Sequence, residues 1–260
     1  MPKTTLPELT EEQAKRYSRH ILIPAMDWEG QERLLASRAL VLGVGGLGCA
    51  VAQYIVASGV GQVTLVDDDL VDVSNLQRQT LHTEKDVGVN KAVSAKGSLV
   101  KINSDVEIKV ITHRLEKEEL LSLADKMDVL IDCTDNLSSR NLLNQVSVAT
   151  NTALITGAAI RMEGQVCSFI PENLPEKQKA PCYACLSYLF GEQQLNCMES
   201  GVFAPLVGVI GSMQALEVVK FLSKVGTVPN GKMLMFDAAT SQWREMQIMA
   251  NPNCSVCGKV

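Results

Sequence analysis

The run Ala39-Leu40-Val41-Leu42 ends directly in Gly43-Val44-Gly45-Gly46-Leu47-Gly48, and this junction constrains the chain more than any other feature. Four apolar residues are too few for a helix, and the glycines stop them, so the run reads as a buried strand. The G-x-G-x-x-G pattern permits a tight turn and lets backbone N–H groups approach an anion. It also opens a helix whose positive end favours phosphate. Asp67 follows Gly48 by nineteen residues, at the end of the next apolar run, where a carboxylate accepts from ribose hydroxyls. The expectation is a nucleotide site on a strand–turn–helix unit.

The same rhythm continues downstream. Residues 46–58, 90–102 and 136–150 read as helices, and 39–42, 62–66, 106–111, 128–131 and 153–156 as strands. Such alternation predicts an α/β, Rossmann-like fold, a mostly parallel sheet with helices on both faces. Upstream, Thr10-Glu11-Glu12-Gln13 has the pattern of a capping box; its helix carries Tyr17, Ile21 and Leu22 on one side and stops at Pro24. A short helix follows at 31–37.

After Gly157 the pattern changes. An antiparallel strand (164–170) leads into a Pro/Lys/Glu-rich loop (171–181). Then come a long helix (205–222), opened by Pro205, and a closing hairpin (232–236 and 243–248). Gly208 and Gly211 are expected to let that helix pack closely. We read all 260 residues as a single domain. It comprises N-terminal helices (1–37), a nucleotide-binding part (38–157), and a part extended by antiparallel strands (158–260).

Hydrophobic residues make up 46% of the chain and charged ones 20%, enough for a sizeable core. A net charge of −5 argues against nucleic acid as a partner. The start, MPKTTLPELTEEQ, has no apolar signal core, and a cytoplasmic location is expected. The apolar stretch 204–222 carries Gln214, Glu217 and Lys220, so it reads as a buried helix rather than a membrane span.

The glycine motif alone suggests NAD. What shifts the reading to ATP is Asp72-Val73-Ser74-Asn75-Leu76-Gln77-Arg78-Gln79, where amides and a guanidinium suit phosphate oxygens better than an uncharged nicotinamide. Lys91 adds a second cation, although both cations also fit solvated surface charges. Asp132-Cys133-Thr134-Asp135-Asn136 ends another strand of the same sheet, and ligands lie at the carboxyl ends of parallel strands. Asp135 suits magnesium, or else caps the helix that follows; Asp132 suits a buried structural carboxylate.

Eight cysteines without a signal segment read as thiols or metal ligands. Cys182-x-x-Cys185 and Cys254-x-x-Cys257 form two knuckles, and four thiolates suit tetrahedral zinc in a structural role. Such a site would tie the tail to the middle of the chain. Cys49, Cys133 and Cys167 read as core residues. Cys197, in a polar loop, is either a covalent participant or an ordinary loop thiol. His20, His82 and His113 form no ligand pattern and read as incidental.

Taken in order, these motifs resemble the family of enzymes that activate ubiquitin-like proteins, in its branch serving molybdenum cofactor biosynthesis. Carrying the likeness are Arg16–Arg19, Asn75–Gln79, Gly157–Gln165, Ala204–Ser212 and Asn251–Gly258, over nearly the whole chain. The resemblance implies ATP at the turn formed by Gly43, Gly45, Gly46 and Gly48. It implies Asp67 on the ribose, and Ser74, Asn75, Leu76, Gln77, Arg78 and Lys91 around the phosphates. Asp135, followed by Asn136, is implied to be the essential carboxylate, associated with magnesium. Arg19 matches an arginine donated to the partner subunit's site, which implies a homodimer, forming a heterotetramer with its carrier.

The implied substrate is the Gly-Gly terminus of a small β-grasp carrier, MoaD-like, bound through residues 158–260. Its carboxylate would attack the α-phosphate and expel pyrophosphate. Because the chain stops three residues past Cys257, sulfur is expected from a separate donor. In a thiamine-pathway relative, a cysteine matching Cys197 takes covalent part. Competing readings are adenylation of a thiamine-pathway carrier, an NAD-dependent oxidoreductase, which lacks an acid–base pair here, and a zinc-stabilised nucleotide-binding scaffold.

Overall fold

The computed structural model describes residues 6–171, 180–190 and 201–258. The N-terminal segment folds as α1 (Glu11–Arg16), α2 (Ser18–Ile21) and α3 (Asp27–Ala36). Thr10 caps α1 as predicted: its hydroxyl accepts from the Gln13 N–H, and the Gln13 amide accepts from the Thr10 N–H. The single helix expected up to Pro24 is instead two, broken at Tyr17, and the cause is packing. Tyr17 is 4% exposed, with its ring against Gly59 and its hydroxyl accepting from Asn103 Nδ2 at 2.8 Å. Leu22, expected on the same side, is 70% exposed. The next helix, expected from residue 31, starts at Asp27.

One eight-stranded sheet organises the rest. β1 (Arg38–Leu42), β2 (Gln62–Val66), β3 (Glu107–Ile111), β4 (Val129–Asp132) and β5 (Ala153–Ile160) are parallel, in the order β3-β2-β1-β4-β5. β6 (Glu163–Phe169), β7 (Lys232–Asp237) and β8 (Gln242–Gln247) continue from β5 as an antiparallel meander. Helices α3, α4 (Gly46–Ala57), α5 (Lys91–Ile102) and α9 (Ala204–Ser223) cover one face. On the other face lie α6 (Lys117–Ala124), α7 (Leu137–Thr150) and α8 (Tyr183–Phe190). Burial from both sides explains why β1 has no polar–apolar alternation: Ala39 and Val41 enter one core, Leu40 the other.

The predicted α/β class is the one observed. Two helices were not anticipated. α6 is eight residues long with only Leu120 and Ala124 buried, too weak a stripe to read. α8 begins inside the first cysteine knuckle. α9 is long and apolar enough to cross a membrane by length and composition, yet it packs on α3, α4 and β5. Its Gln214 and Glu217 are buried, and Glu217 pairs with Lys220 at 2.8 Å. Close packing comes from Gly211: a Cβ there would meet Leu47 O at 2.5 Å, whereas one on Gly208 meets nothing within 4 Å among the described residues.

Candidate active site

Between β1 and β4 the strand order reverses direction, and in sheets of this kind a ligand crevice opens at the carboxyl ends of such a pair. The glycine turn leaves β1 at that point and the Asp132–Asn136 segment leaves β4. They touch: a Cβ on Gly43 (φ +89°) would meet the Cys133 carbonyl at 2.8 Å. Gly45 occupies the N-cap of α4 and has no side-chain cap, so the first N–H groups of that helix face outward without an intramolecular oxygen from the cap residue. Among the described residues, a Cβ on Gly45 would meet only the Gln79 amide, at 3.5 Å. Among the described residues, the space over the turn is open to an anion.

Asp67, just past β2, accepts from the Val44 N–H at 2.7 Å and from the Asp69 N–H at 2.9 Å. Burial raises its carboxyl above the usual range, while those two donors and the Lys91 charge oppose the rise. Lys91, at the start of α5, is buried and pairs with Asp69 at 2.7 Å. It is therefore not a solvated surface charge. Asp67, Asp68 and Asp69 lie close together, but two of the three are already engaged by these neighbours.

The segment expected at the phosphates forms a 3-10 turn over Val73–Asn75. Asp72 caps it, accepting from the Ser74 N–H and hydroxyl, and Asn75 Oδ1 accepts from the Asp72 N–H at 3.2 Å. Arg78 donates to the Ser74 carbonyl at 3.0 Å, while Leu76 is half-buried and Gln77 exposed. Gln79 is the residue that motif spacing undervalued. Its side chain is 4% exposed, lies against the glycine turn, and leaves Oε1 without a partner among the described residues. An orphaned buried amide beside an open turn fits a polar ligand there.

At the β4 end the two carboxylates separate. Asp132 is buried and structural: it accepts from the Thr134 N–H and hydroxyl and from the Thr156 hydroxyl, with Arg140 4.0 Å away. The cap of α7 is Asn136, which accepts from the Ser139 N–H at 2.9 Å. Asp135 is therefore not the cap. It is exposed and makes no hydrogen bond or ion pair among the described residues, which suits a ligand to a hard cation.

Arg19 lies away from this crevice. Tyr17, two residues before it, is anchored on Gly59 and Asn103, beyond the C-terminal ends of α4 and α5. The twelve residues of α4, about 18 Å of helix, separate that end from the glycine turn.

The four expected metal ligands converge. Cys182, Cys185, Cys254 and Cys257 place all their sulfurs within 4.8 Å of one another, with 3.8 Å between Cys182 and Cys254 and 3.5 Å between Cys185 and Cys257. A zinc tetrahedron with bonds of about 2.3 Å has edges of about 3.8 Å. Asn144 Nδ2 and the Asn251 and Val256 N–H groups donate to these sulfurs, as a ligand shell requires. The set fits a structural metal. Cys49, Cys133 and Cys167 are buried core thiols as predicted, pushed up by burial, Cys49 and Cys167 to about 12. Cys197 lies outside the described residues.

None of the histidines shares a metal cluster among the described residues. His82 nonetheless has a structural place that no spacing suggested: it is 5% exposed and hydrogen-bonded to both the glycine turn and α5.

The molybdopterin-synthase adenylyltransferase of Salmonella typhimurium is 50% identical over 252 residues, covering 97% of this chain and 99% of that relative. The sulfur carrier protein ThiS adenylyltransferase of Escherichia coli is 41% identical over 243 residues, 94% of each chain. The crystal structure of E. coli MccB with ATP shares the fold, with a TM-score of 0.79 at 24% identity, covering 94% of this chain and 74% of that one. The family model described as ThiF family matches residues 17–256. With that match spanning almost every element described above, the chain belongs to the ThiF family.

Proposed function

We propose that this protein adenylates the C-terminal Gly-Gly carboxylate of a small ubiquitin-like sulfur carrier, the MoaD-like subunit of molybdopterin synthase, releasing pyrophosphate from ATP. The observation that carries the proposal is the pairing, at one switch point, of an open glycine turn with the unengaged Asp135 carboxylate. The 50% identity to a molybdopterin-synthase adenylyltransferase favours the molybdenum-cofactor carrier over the thiamine-pathway one. Free cysteines, four of them gathered as metal ligands, fit a reducing, cytoplasmic setting.

A carboxylate is already an adequate nucleophile, so the site needs charge neutralisation and alignment rather than a strong base. The α4 N-terminus and Gln79 receive the phosphates, Asp67 the ribose, and Arg78 and Lys91 balance the charge of the departing pyrophosphate. Asp135 would hold magnesium, which supplies further neutralisation of the phosphate oxygens. The carrier tail enters over residues 158–260, where exposed Met162, Phe203 and Trp243 line the same end of the sheet. The acyl-adenylate then passes to a separate sulfur donor. Zinc at the four thiols is structural.

Arg19 acts in the partner subunit's crevice, since its own lies a helix length away. Val209 and Leu216 of α9, Tyr54 of α4, Trp28 of α3, and Leu22 and Ile23 just before α3 are exposed apolar side chains, a face suited to a second copy. The test joins both points. Asp135→Ala and Arg19→Ala homodimers should each fold normally and lose ATP–pyrophosphate exchange by about a hundredfold or more. Mixed and reassorted, they should recover about a quarter of wild-type activity, because half the dimers would carry one intact site of two. Normal exchange by Asp135→Ala would sink the catalytic assignment; no recovery on mixing would sink the sharing of Arg19.

A further inference from the structure

We infer that His82 is a positioning residue of the nucleotide site, a strut that fixes the glycine turn to the two other segments facing the phosphates. The inference rests on the reading of that turn as the ATP site. Val44 is its pivot. The carbonyl of Gly45 accepts from the Cys49 N–H and joins the helix ladder, but the fully buried Val44 lies one residue outside that ladder. Its carbonyl instead accepts from His82 Nε2 at 3.1 Å, with the Cys49 thiol as a weaker donor at 3.5 Å. The N–H of the same residue donates to Asp67. Side chains thus pin Val44 on both sides, next to positive-φ Gly43 and to Gly45, where the backbone is least restrained by sterics.

The other ring nitrogen reaches α5. His82 Nδ1 is 2.9 Å from Ser94 Oγ, one turn after Lys91. In the neutral ring, with the Nε2 proton on Val44 O, Nδ1 is the acceptor facing the Ser94 hydroxyl. Burial holds the imidazole below its usual range, consistent with that neutral form; Lys91, Asp67 and Asp86 are the charges acting on it, and Cys49 lies 3.8 Å away. The loop bearing Asn75–Gln79 is bound into the same joint. The His82 N–H donates to the Gln79 carbonyl, and Ser98 of α5 donates to the Leu81 carbonyl at 2.7 Å. The glycine turn, the Arg78 loop and the Lys91 helix therefore share one side chain as their common fastening.

Removing the donor leaves the Val44 carbonyl buried with only a thiol, and the turn loses its fixed direction. Misplacement of a binding group by about 1 Å costs on the order of a hundredfold in such sites. The experiment compares wild type, His82→Gln, His82→Leu and Ser94→Ala by thermal unfolding, by the Kd of magnesium-ATP, and by KM and kcat in pyrophosphate exchange. His82→Leu should raise the Kd and KM for ATP at least tenfold with a smaller change in kcat. His82→Gln, which retains an N–H donor, should recover most of the loss, and Ser94→Ala should weaken ATP binding several-fold.

Wild-type ATP affinity in His82→Leu would overturn the inference, as would a His82→Gln variant as impaired as His82→Leu. If His82→Leu does not fold, Ser94→Ala decides, and unchanged affinity there overturns it. Wild type that binds magnesium-ATP but catalyses no exchange would sink the adenylation reading while the Kd series still judges the strut. Wild type that binds no nucleotide would overturn both.

Discussion

Gly45 and Gly48 stand three residues apart in one turn and answer to different constraints. A Cβ on Gly48 would lie 2.0 Å from the Gly43 carbonyl, so the turn itself cannot close around it. A Cβ on Gly45 has room on the protein side and projects where the phosphates would lie. Gly48→Ala should therefore destabilise the fold by about 3 kcal/mol, the upper range for forced overpacking. Gly45→Ala should change stability by less than about 1 kcal/mol but weaken magnesium-ATP binding at least tenfold. Denaturant titration beside nucleotide titration separates the two; equal stability losses would contradict the division of roles.

At this scale legibility followed sequence distance. The positions of the glycine turn, Asp67 and Asp135 are legible because each lies in a local pattern at the end of a strand, β1, β2 and β4. His82 is not, because its partners Val44 and Ser94 lie 38 and 12 residues away and only the packed fold brings them together. The capping role left open for Asp135 belongs to Asn136, a one-residue difference that only the helix geometry decides.

Among the elements, those of the parallel sheet were legible because a buried strand and its covering helix each leave a strong apolar signature. The failures have equally physical causes. The first helix breaks at Tyr17 because burial of its ring against Gly59 overrides helical continuity. α6 buries too little to show a period. α8 starts inside the Cys182-x-x-Cys185 pair, where cysteine spacing suggests a ligand loop and masks the helix. The four-thiol cluster joins that helix to the segment after β8: Cys182 and Cys185 lie at the start of α8, and Cys254 and Cys257 lie beyond the hairpin. Zinc analysis should find one ion per chain. Chelation, or Cys254→Ser, should speed hydrogen exchange in α8, β7 and β8 while protection of β1, β2 and β4 persists. Uniform loss of protection would mean that the metal supports the whole fold rather than this corner.

At the scale of the whole molecule, the proposed function rests on three separated features: a crevice at the β1–β4 switch point, Arg19 beside Tyr17 about a helix length from it, and exposed apolar side chains on α4 and α9. A nucleotide-binding scaffold needs only the first. An adenylating dimer needs all three, together with a carrier whose terminus reaches the α-phosphate. The direct measurement is ATP–pyrophosphate exchange with a purified MoaD-like carrier, beside the same carrier lacking its last glycine. Exchange that requires the intact Gly-Gly terminus and stops with the shortened carrier is the predicted result. Exchange indifferent to the terminus, or none with the intact carrier under conditions where magnesium-ATP binds, would contradict the assignment.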